Sequence, residues 1–258
     1  MAGRIHKHRK LWGPLSTPWV LRVLKQGAPL RFETGLPPPR TIKSFPSSAE
    51  ANEVISKWLT SALNDKEVAL SSTRPRVISP IFAIPKKNQP GEFRVIVDLR
   101  YLNSFLRLKK FKLDSLPLAL RSVTPNCVFT KTDLKSGFSH VKVAHRFRKY
   151  LGFRWGDQNY HYRVLPFGLA SSPYLFSKML LPAVQRLRQE GVKIFVYVDD
   201  ILIVADSAQQ CWHQTLRRRQ LLSSLGWVVR EDKSSKTPST EILFLGFLIN
   251  SRSMTLSL

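Results

Sequence analysis

Residues 194–205 read IFVYVDDILIVA. Two runs within it, Ile194–Val198 and Ile201–Val204, have the length and the β-branched composition of short strands. Joined by two residues, they spell a β-hairpin, and a hairpin fixes the register of whatever sheet it enters. Asp199-Asp200 is a poor choice for its turn. Asn-Gly or Asp-Gly would be expected there, and neighbouring carboxylates repel each other. A local rule broken between two consistent strands points to a functional site. For the dipeptide alone, a solvated acidic turn is an equally good account.

The charge balance sharpens the question. Forty-one Lys and Arg face 17 Asp and Glu, a net +24 over 258 residues. Such an excess favours polyanionic partners, nucleic acid foremost, and it makes each acid informative. A hydrophobic fraction of 43% sustains a core of one large domain or two smaller ones. No apolar stretch reaches the roughly 18 residues of a membrane span. The basic N-terminus MAGRIHKHRK leads into no apolar signal region, so an intracellular protein, cytoplasmic or nuclear, is expected. Cys127 and Cys211 lack metal-ligand spacing, which excludes a disulfide framework and a zinc site.

Along the chain, residues 1–40 form a basic extension with Trp, Pro and Gly, ending in the stiff run Pro37-Pro38-Pro39. Trp19–Leu24 reads as a short strand or helix. Ala49–Leu63 has helical spacing after Ser47-Ser48. Val77–Ile84 reads as an edge strand interrupted by Pro80, and Phe93–Val97 as its hairpin partner. The centre runs strand (127–132), helix (171–190), strand (194–198), strand (201–205), helix (207–225) and strand (242–249). With the insertion after the first strand removed, this is a split βαβ arrangement. Its topology brings Asp133, at the end of the first strand, beside Asp199 and Asp200. Three carboxylates at one sheet edge suit hard cations such as magnesium, completed by substrate phosphates. Two such ions about 4 Å apart serve phosphoryl or nucleotidyl transfer. Lys86, Lys87 and Arg94 would supply cations for a triphosphate if their hairpin bends over the site; a solvated loop is the alternative for the two lysines.

The blocks SPIFAIPKKNQPGEFRVIVDLRYLN, FTKTDLKSGFSHVKV, YRVLPFGLASSPYLFSKM, FVYVDDILIVA, LGWVVREDKS and LFLGFLI follow one another over about residues 45–250. In this order and spacing they resemble the successive blocks of reverse transcriptases. They look most like those of retrotransposons with long terminal repeats. The leader LWGPLSTPWVLRVLKQGAPLRF and the stretch RLRQEGVKIFVYVDD are similar to the DIRS-like group. The resemblance implies an α/β (α+β) fold of right-hand polymerase fingers and palm, the palm built on a ferredoxin-like split βαβ sheet, with the thumb absent. Fingers would span 41–109 and 141–171, palm 110–140 and 172–252, and 253–258 would begin a following region.

The same resemblance implies roles. Asp133, Asp199 and Asp200 match the catalytic aspartates, and with the Leu134 carbonyl they would hold two Mg2+ ions, for which Mn2+ can substitute. Lys86 and Arg94 match residues that grip the incoming triphosphate. Phe138 matches an aromatic that collides with a ribose 2′-OH and selects deoxynucleotides; outside the motif it would read as a core aromatic. Phe167 and Gly168 resemble a segment that packs on nucleotide and template. Lys233 resembles the lysine that protonates pyrophosphate, a surface lysine being the alternative. Leu245 and Gly246 resemble the primer grip, a plain core strand being the alternative. His140 stands where many relatives have Gln. The expected activity is RNA-directed DNA polymerisation, with an RNA template, a DNA primer, their hybrid and dNTPs as partners. The thumb and ribonuclease H parts of a polyprotein would lie elsewhere. A silent nucleic-acid-binding fragment of a decayed or domesticated retroelement is the rival reading, and an RNA-dependent RNA polymerase, disfavoured by Phe138, is another.

Overall fold

The computed structural model describes residues 2–86 and 89–258, the side chains of residues 86–91 excepted. Its longer helices are α1 (Pro18–Gln26), α2 (Ala49–Asn64), α3 (Ser172–Gln189) and α4 (Ala208–Ser224). Its strands are β1 (Arg40–Thr41), β2 (Val68–Leu70), β3 (Val77–Ser79), β4 (Ile81–Lys86), β5 (Gln89–Val97), β6 (Val128–Leu134) and β7 (Gly152–Trp155). They continue with β8 (Gln158–Tyr162), β9 (Lys193–Tyr197), β10 (Asp200–Ala205), β11 (Val229–Arg230), β12 (Glu241–Phe244), β13 (Phe247–Asn250) and β14 (Thr255–Ser257). The chain divides into two compact units. One holds Met1–His6, Arg22–Lys109 and Phe138–Leu175; the other holds Lys7–Leu21, Lys110–Gly137 and Phe176–Leu258. Among the described residues no helix is long and apolar enough to cross a membrane.

The first unit is built on a mixed sheet of order β1-β3-β7-β8-β2 and on the separate hairpin β4–β5. The single edge strand expected over 77–84 is two strands. Pro80 has no N–H to give a ladder, and the chain changes sheet there. β3 lies between β1 and β7, so it is an interior strand. α2 begins where Ser48 Oγ accepts the N–H of Ala51 at 3.2 Å, an N-cap of the expected kind. Its apolar stripe, Ile55 and Leu59 among it, is buried. Residues 1–40 contribute core to both units through Ile5, Trp12, Val20, Val23 and Leu24, all essentially inaccessible. Trp19–Leu24 is helical, within α1.

The second unit carries a four-stranded sheet of order β11-β6-β10-β9, antiparallel throughout. This is the expected split βαβ order, with β10 inserted between β6 and β9. The fourth strand is not the one expected. It is the two-residue β11, and residues 241–250 instead form β12 and β13 of a separate sheet, β12-β13-β14. An apolar run long enough for a strand outweighed a short strand that leaves almost no periodic signal.

Both faces of the central sheet are covered, so its strands read as continuous apolar runs. α4 packs on β6 and β10, where Thr130 and Thr215 share a hydrogen bond of 2.6 Å between their hydroxyls. Ser207 caps α4 by accepting the Gln210 N–H, and Gly226, at φ +90°, ends it. The opposite face packs Phe129, Phe195, Leu202 and Val204 against Ala119, Phe244 and Ile249.

Candidate active site

The register of the central sheet sets out the acidic cluster. Phe129 faces Val204, Lys131 faces Leu202, and Asp133 faces Asp200. Strand side chains alternate with period two, so Phe129, Lys131 and Asp133 share one face of β6. The row begins in the apolar core at Phe129, turns to charge two positions later at Lys131 and ends at Asp133. β6 runs to Leu134 and carries Asp133 within the ladder, two residues further than the sequence suggested.

The hairpin differs in detail from its expected form. Tyr197 pairs with Asp200, so the two-residue turn is Val198-Asp199, and Asp200 heads β10. Val198 has φ +54°, a left-handed conformation unusual for a β-branched residue. The Leu134 N–H donates to the Asp199 carbonyl at 3.2 Å and ties the turn to β6. Gly137 leaves room beside this turn: a Cβ there would stand 3.0 Å from the Phe176 ring and 3.6 Å from Asp199 Cβ.

Electrostatics bind the three acids into one group. Burial, and then the charges of Asp199 and Asp200, push the Asp133 carboxyl above its ordinary range, against the pull of Lys233 and Arg230. Asp199 is raised likewise, by burial first and also by Asp200, while Lys131 and Lys233 act the other way. The ammonium of Lys131 lies 2.9 Å from Asp200 Oδ1. A short 3-10 turn, Glu231–Lys233, sets Lys233 near the cluster. It is braced there by Ser234, whose hydroxyl donates to Arg230 O at 2.7 Å and accepts the Asp133 N–H at 3.2 Å. Ser235 Oγ accepts the Lys131 N–H at 2.8 Å.

Among the described residues, no three or more His, Cys, Asp or Glu side chains form a preformed metal cage. The donor set nevertheless suits a hard cation that arrives with its substrate. Magnesium takes one or two protein carboxylates and fills its shell with waters and phosphate oxygens. Mutually repelling, half-buried carboxylates are what such a cation neutralises.

The remaining candidates of the second unit are Leu245 and Gly246, the two-residue turn of β12–β13. Phe244 pairs with Phe247, and both turn residues have positive φ, +51° and +85°. This tight backbone turn is of the type that needs left-handed residues at both positions, and it divides the single strand expected over 242–249 into two.

In the first unit, Phe138 sits in a 3-10 turn, Gly137–His140, and its ring lies 5.0 Å from that of Phe167. Phe167 is 81% exposed, far more than an aromatic of a packed core. Gly168, at φ +82°, follows it. Asn103 holds this loop at both ends: its Nδ2 donates to Gly168 O at 2.8 Å, and its Oδ1 accepts the Ala170 N–H at 2.9 Å. Arg94 is exposed on β5 opposite Ile84. Lys86 ends β4 with its side chain outside the described residues, as Lys87 is altogether.

Three contributors went unread in the sequence. Lys131 was legible, because it shares strand parity with Asp133. Ser234 and Asn103 were not. Each acts through a hydrogen bond to backbone far along the chain, which leaves no local pattern.

A family model described as reverse transcriptase (RNA-dependent DNA polymerase) matches residues 84–249. The chain belongs to the reverse transcriptase family. Relatives include the retrovirus-related Pol polyprotein of the transposon opus of Drosophila melanogaster, 26% identical over 222 residues. That match covers 84% of this chain and 22% of the polyprotein. The Pro-Pol polyprotein of simian foamy virus type 3 (strain LK3) is 28% identical over 221 residues, covering 86% of this chain and 18% of that one. The chain therefore spans about a fifth of the length of these relatives. The crystal structure of prototype foamy virus protease-reverse transcriptase superposes with a TM-score of 0.73 at 26% identity, covering 88% of this chain and 30% of that one. The foamy viral protease-reverse transcriptase in complex with dsDNA shares the fold, with a TM-score of 0.75 at 19% identity over 100% of this chain and 56% of that one. The fold of this reverse transcriptase family member is thus the mixed α/β architecture of fingers and palm.

Proposed function

We propose that this chain is the RNA-directed DNA polymerase part of a retroelement polyprotein. The observation that carries the reading is the pairing of Asp133 with Asp200 across β6 and β10, with Asp199 in the adjoining turn. A primer 3′-hydroxyl gives up its proton to solvent as its oxygen bonds to the α-phosphorus of a dNTP, the bond from that phosphorus to the bridging oxygen breaks, and pyrophosphate leaves. Asp133, Asp199, Asp200 and the Leu134 carbonyl would hold two magnesium ions, or manganese in their place, whose chemistry when bound is to polarise the attacking and leaving oxygens. Lys233, exposed beside the carboxylates, gives a proton to pyrophosphate. Lys86 and Arg94 grip the triphosphate. Phe138 excludes a ribose 2′-OH, and Phe167 with Gly168 packs on the nascent base pair. Leu245 and Gly246 hold the primer strand through their backbone.

In this reading residues 41–109 and 141–171 act as fingers and 110–140 and 172–252 as palm. The template is RNA or DNA, the primer DNA, and the element a relative of the DIRS-like group. The excess of cations, +24 in all, supports contact with template and primer phosphates. The test is extension of an oligonucleotide primer on an RNA template with magnesium and all four dNTPs. Ladder products are expected. Retained template binding without any product would assign the chain to nucleic-acid binding alone.

A further inference from the structure

Lys131 stands two residues before Asp133 on the same face of β6, diagonal to Asp200 in the sheet register. Its ammonium lies 2.9 Å from Asp200 Oδ1, and the two side chains are 23% and 26% exposed. Its backbone is held on both sides, the N–H by Ser235 Oγ and the carbonyl by the Ser235 N–H at 2.9 Å. The other cations near the cluster are engaged elsewhere or open to solvent. Arg230 pairs with Asp232 at 3.3 Å, and Lys233 is exposed. Among the described residues, Lys131 is therefore the cation in ion-pair contact with the carboxylate trio, through Asp200. An ammonium on a carboxylate oxygen competes with a divalent cation for the same negative charge, and half-buried surroundings strengthen that competition over its value in bulk water.

We propose that Lys131 is the internal counter-ion of the carboxylate trio, a positioning residue that neutralises Asp200 until a divalent cation arrives and so sets the concentration at which that cation binds. The proposal rests on the metal-dependent reading given above. It has two consequences of opposite sign. Without metal, Lys131 relieves repulsion and stabilises the fold. With metal, its positive charge opposes the incoming ion.

The test is titration of the full chain with Mn2+, followed by the electron paramagnetic resonance signal of free Mn2+, in parallel with melting curves. Lys131→Met should bind Mn2+ at least about tenfold more tightly than the wild type, while Lys131→Arg, which keeps the charge, should stay within about twofold. The melting temperature of Lys131→Met should fall without metal and recover with it. Lys131→Gln, neutral but polar, reads the same affinity if Met does not fold at this position. Unchanged or weaker Mn2+ binding by the neutral variants overturns the proposal. Asp133→Asn separates the two ideas. It should lose Mn2+ binding, and if it does not, the metal-dependent reading fails and this inference falls with it.

Discussion

Val198 and the three acids show how strain gathers at one place. A β-branched residue at φ +54° costs roughly 1–2 kcal/mol relative to an extended one, and repelling carboxylates add to it. Such local costs persist only where surrounding structure fixes them, here the ladder between β6 and β10 and the bond from Leu134 to Asp199. Among the proposed site residues, Phe138 is the one whose proposed role separates most sharply from packing. Its neighbour Phe167 is open to solvent, so the pair is a wall of the first unit rather than part of its core. Phe138→Ala should admit ribonucleotides, raising their incorporation relative to deoxynucleotides by at least about tenfold, the discrimination lost with one shape-complementary contact. The measurement is single-nucleotide extension with each triphosphate. A variant with unchanged selectivity removes Phe138 from that role.

Elements differed in how well the sequence announced them. α2 and α4 were legible because apolar spacing and serine caps agree at each. β9 and β10 were legible because their apolar runs are bounded by a break in pattern. β11, two residues long, had no periodicity to read, and the turn of the central hairpin lies one residue earlier than expected because Tyr197 pairs with Asp200, a register that the apolar runs alone do not specify. The candidate site was legible as residues, since Asp133, Asp199 and Asp200 stand in recognisable blocks; its supports, Ser234 and Asn103, act over long sequence distances and were not.

The N-terminal segment makes the same point. His6 is buried, its Nδ1–H donating to Leu24 O and its Nε2 accepting the Lys142 N–H, both at 2.9 Å. Only the neutral ring can do both. Burial, foremost, holds its pKa down, from 6.5 to about 4. The folded value lies below the unfolded one, so the stability it contributes is complete above pH 6.5 and is lost as pH falls through about 4. Protein with His6→Gln should lose less stability than the wild type over that window, by up to about 3 kcal/mol, in denaturant titrations at neutral and acid pH. Parallel losses would remove His6 from the account.

For the whole molecule, the charge excess sets how nucleic acid would be held in the proposed reading. A net +24 spread over 258 residues predicts binding dominated by phosphate contacts and release of counter-ions. Affinity for an RNA–DNA hybrid should fall roughly a thousandfold between about 50 and 200 mM salt if about six phosphates are neutralised. A salt-independent affinity, read by fluorescence anisotropy, contradicts this. In the proposed reading, the three acids of so basic a chain gather at the ends of β6 and β10 and the adjoining turn to meet a cation and a triphosphate.

The most direct measurement is the single-turnover rate of primer extension by the wild type, Asp133→Asn and Asp199→Asn, each with its affinity for the primed template measured alongside. Both variants are predicted to keep that affinity and to extend at least about a hundredfold more slowly, the several kcal/mol expected of charge stabilisation at the reacting phosphate. A variant that extends within about tenfold of the wild type would contradict the claim that these carboxylates carry the chemistry.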